Sequence, residues 1–249
     1  DLVEKVWPSV VNVVISKDLA LYKRDPFGFF QEQVWTVKKQ IWWWSGFFIT
    51  KEWLVLTNKH VVSEKNASYT VITNSWVEYE AKVLAVDPLT DLAIIKVNSN
   101  KKDFPVTPLI NENDTINVWQ FWVAIWNALA EFQNSVSLWV ISWKNRSIQA
   151  WWEYNYSDLE KLNWLLQTDA AINPWNSWGP LINLDWKIMW VNTAIAWDAQ
   201  WLWFSIQISQ KKVDYMINSI EKYWSIKRPF LWINYWIIDE NIATQLWLK

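Results

Sequence analysis

Residues 167–195 read QTDAAINPWNSWGPLINLDWKIMWVNTAI, and how this stretch is parsed decides the fold. Three runs in and around it, LLQTDA (165–170), PLINL (180–184) and KIMWVNTAI (187–195), are short, apolar and rich in Val, Ile and Thr, with turn residues between them. That is the pattern of β-strands joined by tight connections. Between the first two runs, Asn173-Pro174-Trp175-Asn176-Ser177-Trp178-Gly179 forms a turn with a serine near its apex. Between the second and third, Asp185-Trp186 stands where a two-residue hairpin asks for Asp-Gly. Tryptophan thus recurs at places where a tightly turning backbone needs glycine.

The whole chain carries the same inversion, with 26 tryptophans and 3 glycines in 249 residues. Ordinary usage near 7% predicts about 17 glycines. Trp224 follows the amphipathic VDYMINSIEKY, where a helix takes glycine just past its end. Trp42, Trp43 and Trp44 run into Ser45-Gly46, three successive indoles without a packing role that the sequence explains. The expectation is that most tryptophan letters stand for glycine. This happens when a gene that uses UGA for glycine is translated with a table that assigns UGA to tryptophan. The alternative is a genuinely Trp-rich protein, such as a carbohydrate binder that stacks sugars on indoles. Read with glycine, the serine turn becomes N-P-G-N-S-G-G-P-L. Glycines on both sides let the chain turn sharply, expose the serine Oγ and aim successive N–H groups into one cavity.

Strand-length runs extend across the chain. They are SVVNVVIS (9–16), GFFIT (46–50), LVLTN (54–58), SYTVIT (68–73), EAKVLAVD (80–87), LAIIKV (92–97), FWVAI (121–125), SVSLWVIS (135–142) and FSIQIS (204–209), besides the three above. So many short strands predict an all-β barrel or sandwich. Residues 17–41 read as a long polar insertion carrying Phe27, Phe29 and Phe30, too long for a plain connection and therefore functional or mobile. A short helix is expected at Leu2 to Val6, before Pro8. A longer one is expected after Ser209, where Val213, Met216, Ile217, Ile220 and Tyr223 recur at helical spacing. Beyond Arg228-Pro229 a further segment begins, too short to fold alone.

Bulk properties exclude several chemistries. A net charge of −2 gives no electrostatic reason to expect a nucleic-acid partner. With no cysteine there is no disulfide or thiolate chemistry, and one histidine argues against a histidine-based metal site. No apolar run is long enough to span a bilayer. The start at Asp1 and the lack of a signal-like segment suggest a fragment, with any membrane anchor outside it.

Three residues could carry chemistry. His60 lies in LTNKHVV just after a strand, Asp91 lies in DPLTDLAIIKV where an acid precedes an apolar strand, and Ser177 occupies the turn already described. Taken singly, the histidine is more often structural and the aspartate equally a turn residue. Their order along the chain, His then Asp then Ser, is that of the chymotrypsin class of catalytic triad.

With these motifs on the page, the chain resembles the HtrA/Deg family of trypsin-like serine proteases. The resemblance runs from Val3-Glu4-Lys5-Val6 through SGFFI, LTNKHVV, DPLTDLAIIKV, VAIWNAL, QTDAAINPWNSWGPLINLDWKIMWVNTAI and FSIQIS, sparing only residues 17–41. That family carries glycine where this chain reads Trp at 44, 53, 126, 139, 175, 178, 186, 190 and 203. The resemblance implies an all-β, chymotrypsin/trypsin-like double β-barrel over residues 1–208, a linker helix over 209–228 and the truncated start of a PDZ domain over 229–249.

It further implies His60 as general base, Asp91 as its orienter and Ser177 as nucleophile. The oxyanion hole would be formed by backbone N–H groups of Trp175, Asn176 and Ser177. Ala171, Ile172, Asn192, Thr193, Ala194 and Ile195 would contact substrate, in a small apolar pocket that favours cleavage after Val, Ile or Ala. No cofactor is implied. The implied partners are unfolded or extended polypeptides and further copies of the chain, as a trimer or a multiple of one, in envelope protein quality control. Phe27, Phe29 and Phe30 would serve as oligomer contacts or tuck onto their own barrel. A peptide-binding or chaperone protein on the same fold, without proteolysis, is the rival reading.

Overall fold

The computed structural model describes residues 2–24, 31–128, 132–150, 160–169, 179–195 and 203–229. Two six-stranded antiparallel barrels account for most of them. The first is built from β1 (Val10–Arg24), β2 (Gln31–Phe48), β3 (Leu54–Thr57), β4 (Ala67–Ile72), β5 (Glu78–Val86) and β6 (Ala93–Val97), and it closes in the order β1-β2-β3-β6-β5-β4. The second uses β7 (Phe121–Ala128), β8 (Phe132–Ala150), β9 (Glu160–Thr168), β10 (Pro180–Asn183), β11 (Ile188–Ile195) and β12 (Trp203–Gln207), and it closes as β10-β11-β12-β9-β8-β7. Closure leaves no sheet edge running the length of either barrel. The all-β double-barrel expectation holds.

Alternation builds the first core. Val11, Val13 and Ile15 of β1 point inward with Phe48, Val55, Val71, Ala93 and Ile95, all buried. Gly46 lets β2 lie close to β3, because a Cβ there would stand 2.9 Å from the Leu56 carbonyl oxygen. Thr57 Oγ1 donates to the Ser45 carbonyl at 3.0 Å and ties the end of β3 to the same strand. The three-indole run obeys the strand period. Trp42 and Trp44 share one face, stack at 5.8 Å and cover the first core, a packing role the sequence did not disclose.

The 17–41 insertion is not a loop. Lys17 to Arg24 and Gln31 to Gln40 continue β1 and β2 as a paired hairpin, with register shifts at Ile15/Ser16 and Leu21/Tyr22. Among the side chains described, Leu19, Trp35 and Val37 are exposed, so burial imposes no alternation on them that would have marked the strands. Phe27, Phe29 and Phe30 lie outside the described residues. In the second barrel, β8 runs beyond the predicted 135–142 at both ends, and β9 starts five residues before the predicted 165–170 and ends at Thr168. Three register shifts between them break the alternation that would have revealed the extra length. The Asp185-Trp186 connection is a tight turn rather than a bare two-residue loop, closed by Trp186 N–H on the Asn183 carbonyl, with Trp186 at φ 67°.

Helix α1 (Leu2–Val6) precedes the first barrel, and α2 (Gln210–Tyr223) follows the second. Ser209 caps α2 by accepting the Lys212 N–H, and Val213, Met216 and Ile220 bury its apolar face. Trp224 ends it in the left-handed region at φ 56° and ψ 20°, its N–H on the Ile220 carbonyl. A side chain with a Cβ pays about 1–2 kcal/mol there. Because the Trp224 indole is 83% exposed and contributes little packing, Trp224→Gly is expected to stabilise the domain by about 1 kcal/mol. A urea midpoint that rises at unchanged slope would show it. Just beyond, Arg228 reaches back to the first barrel. Its Nε donates to Asp87 Oδ1 at 3.1 Å and its Nη2 donates to Oδ2 of the same buried carboxylate. Burial opposes ionisation of Asp87, but hydrogen bonds from Arg228, Leu89 N–H and Thr90 hold it below the usual carboxylate range.

Candidate active site

The barrels meet where β3 ends. After Thr57, the chain passes through Asn58 and Lys59 into a single 3-10 turn, His60–Val62, whose Val61 and Val62 are buried. That turn fixes the imidazole over the neighbouring connection between β5 and β6, where Asp91 lies fully buried. The connection is itself pinned, since Asp87 N–H donates to the Leu92 carbonyl at 2.8 Å.

His60 Nδ1 lies 2.7 Å from Asp91 Oδ2, and the His60 backbone N–H donates to Oδ1 at 3.0 Å. Two more donors reach Oδ2: Asn58 Nδ2 at 2.9 Å and Thr193 Oγ1 at 2.5 Å. One carboxylate therefore accepts four hydrogen bonds. Burial alone would raise its pKa, but the field of His60 and the bonds from His60 and Thr193 outweigh it and keep Asp91 below the ordinary range. An ionised, fixed carboxylate on Nδ1 leaves Nε2 as the ring nitrogen able to take a proton from an attacking hydroxyl.

The structure thus brings two of the three expected catalytic residues together. Ser177 lies outside the described residues, as do Trp175, Asn176, Ala171 and Ile172. Of the expected substrate contacts, Asn192 and Thr193 have buried side chains committed elsewhere. Asn192 Oδ1 accepts from Ser205 Oγ at 2.8 Å, and the Thr193 hydroxyl serves Asp91. The Asn192 carbonyl also accepts from Asn58 Nδ2, at 3.1 Å. Pairing of β11 with β10 reaches only Pro180↔Val191, whereas pairing with β12 continues to Ile195↔Trp203. The stretch Asn192 to Ile195, which includes Ala194, therefore keeps a side that β10 does not take. Asn58 was not singled out from sequence. The signal for it was a polar Thr57-Asn58 pair closing an otherwise apolar strand just ahead of the histidine.

A trypsin-like peptidase domain matches residues 44–189, more than half of the sequence. The chain belongs to the trypsin-like peptidase family. Its similarities within that family lie with HtrA/Deg proteins. It is 31% identical over 201 residues to a probable periplasmic serine endoprotease, DegP-like, of Chlamydia trachomatis, covering 80% of this chain and 38% of that protein. To the putative serine protease HhoA of Synechocystis it is 33% identical over 202 residues, covering 81% and 48%. Among solved structures, the HtrA-type protease AlgW with a decapeptide superposes with a TM-score of 0.72 at 25% identity, covering 99% of this chain and 74% of that one. This trypsin-like peptidase domain spans less than half the length of the curated relatives it matches.

Proposed function

We propose that this chain is the catalytic part of an HtrA-type serine endopeptidase that cleaves unfolded or extended polypeptides through an acyl-enzyme. The observation that carries the reading is the 2.7 Å contact between His60 Nδ1 and a fully buried, ionised Asp91. A serine hydroxyl is a weak nucleophile at neutral pH, and an imidazole so oriented can accept its proton during attack on a peptide carbonyl. Ser177 is assigned as that nucleophile, and the backbone N–H groups of residues 175–177 are assigned as the oxyanion donors. The side of Asn192–Ile195 that β10 does not take would pair with substrate backbone beyond the carbonyl held by Asn58, as an added strand, a mode that reads extension rather than sequence. Ala171 and Ile172 would set a preference for Val, Ile or Ala before the cleaved bond.

Residues 1–208 form the protease domain in this proposal, 209–228 the linker and 229–249 the start of a PDZ domain, of which 230–249 lie outside the described residues. Relatives named as periplasmic support an extracytoplasmic site of action. A role in protein quality control and assembly as a trimer, or a multiple of one, complete the proposal. A serine-reactive fluorophosphonate tests its centre. With glycine at positions 175 and 178, the chain is expected to label at Ser177 and to lose the label in Ser177→Ala. Binding of unfolded protein without any label would overturn the reading in favour of a non-proteolytic binder.

A further inference from the structure

The carboxylate of Asp91 is held from both barrels at once, and Asn58 is the side chain that joins them. Its Nδ2 carries two protons. One is directed at Asp91 Oδ2 (2.9 Å), which orients His60, and the other at the Asn192 carbonyl (3.1 Å) on β11. Both neighbours are acceptors, so chemistry settles which end of the amide faces them. Asn58 is fully buried, and its Oδ1 has no partner among the described residues. An amide retained in a buried place with its own acceptor idle is there for its donors.

Asn192 is the first residue of β11 beyond its pairing with β10, which ends at Val191. The three atoms Asp91 Oδ2, Asn58 Nδ2 and Asn192 O therefore form a short relay from the base pair to the strand proposed to carry substrate. Thr193, the next residue on that strand, closes the relay from the other side by donating to the same Oδ2.

We infer that Asn58 is a positioning residue that locks the His60–Asp91 pair to the substrate-bearing strand, so that the orienting carboxylate and the bound peptide keep one fixed relation. This rests on the protease reading for its meaning, but not for its test.

His60 is the only histidine in the sequence. A proton on Nδ1 shared with Asp91 is expected to give one assignable downfield NMR line, whether or not the chain cleaves anything. In Asn58→Ala the line is expected to broaden or vanish. Turnover is expected to fall about 10- to 100-fold, as for loss of one hydrogen bond to a charged group, with the loss in kcat and little change in KM. Asn58→Leu, which keeps volume and lacks donors, should do the same. Because Asn58 and Thr193 serve one oxygen, the double variant with Thr193→Val should cost more or less than the two single losses combined. In the wild-type chain itself, the Asn58 side-chain amide protons should exchange slowly with solvent, a measurement that needs no variant to fold. Fast exchange there would overturn the inference. So would a folded Asn58→Ala that keeps the downfield line and retains kcat within twofold. A line that responds as expected in a chain that never labels at Ser177 would instead count against the protease reading and leave the positioning role standing.

Discussion

Asp91→Asn is expected to leave the double barrel folded and to lower kcat by about 10⁴, the size of effect this exchange has in a trypsin-class triad. The hydrogen-bond inventory gives the reason. Asp91 accepts from His60 Nδ1, His60 N–H, Asn58 Nδ2 and the Thr193 hydroxyl. An asparagine offers one oxygen and one NH₂ to the same four donors, so its amide must face at least one of them donor to donor. The backbone N–H of His60 cannot yield, so the asparagine oxygen stays on it and the amide turns to the side of Thr193, whose hydroxyl can accept instead, and of the imidazole, which can change tautomer. Its single ring proton moves from Nδ1 to Nε2, so Nδ1 accepts from the amide and Nε2 can no longer take a proton from serine. Catalysis fails through the wrong tautomer while the ring stays in place. Kinetics on a casein or peptide substrate would check it, and a kcat within tenfold of wild type would refute the assignment of Asp91.

The same exchange predicts a pH signature in stability. Asp91 is held below the ordinary carboxylate range in the folded chain, so ionisation favours folding above the unfolded value, and that contribution fades as pH falls through the depressed folded value. Asp87, also depressed, behaves alike. Acidification should therefore erode wild-type stability more steeply than that of Asp91→Asn, which lacks the Asp91 contribution and keeps those of Asp87 and Asp114. Urea midpoints across the acid range would show the two curves converging.

The parts of this molecule that were legible in the sequence are those whose residues face a core or carry a motif. Val11, Val13 and Ile15 announce β1 because they face one core at the strand period within a run buried on both sides, and Val213, Met216 and Ile220 announce α2 by burial at helical period. The continuation of β1 and β2 past residue 16 was invisible because Leu19, Trp35 and Val37 on it are exposed while its backbone pairs, so no buried face imposes an apolar alternation on them. His60 and Asp91 were found through sequence neighbours that resemble a family. Asn58 and the hydroxyl of Thr193 were not given a part in holding Asp91, since their function is a contact across 33 and 102 residues that no local pattern encodes.

Restoring glycine at Trp175 and Trp178 should raise kcat/KM by at least about 10²-fold, the effect of regaining a single oxyanion donor. A chain with both tryptophans is expected to be nearly inactive, because a bulky L-residue resists the glycine-like conformations that would turn its N–H inward, and its indole would crowd the reacting carbonyl. The described residues show the same misfit elsewhere. Seven non-glycine residues have positive φ, and five are tryptophan: Trp76, Trp119, Trp164, Trp186 and Trp224. Each position costs a residue with a Cβ about 1–2 kcal/mol and costs glycine almost nothing in strain. The indole N–H groups of Trp7, Trp53, Trp122 and Trp190 are buried without a partner, at roughly 1–3 kcal/mol each. Together these penalties approach the whole stability of an ordinary domain, about 5–15 kcal/mol. A chain selected to fold would not carry them all, which favours glycine in the native polypeptide at most of these positions. Mass spectrometry of native peptides spanning residues 173–180 decides between the two residues. Tryptophan at 175 and 178 in a native protein that still turns over casein would defeat both the glycine reading and the oxyanion hole built on it.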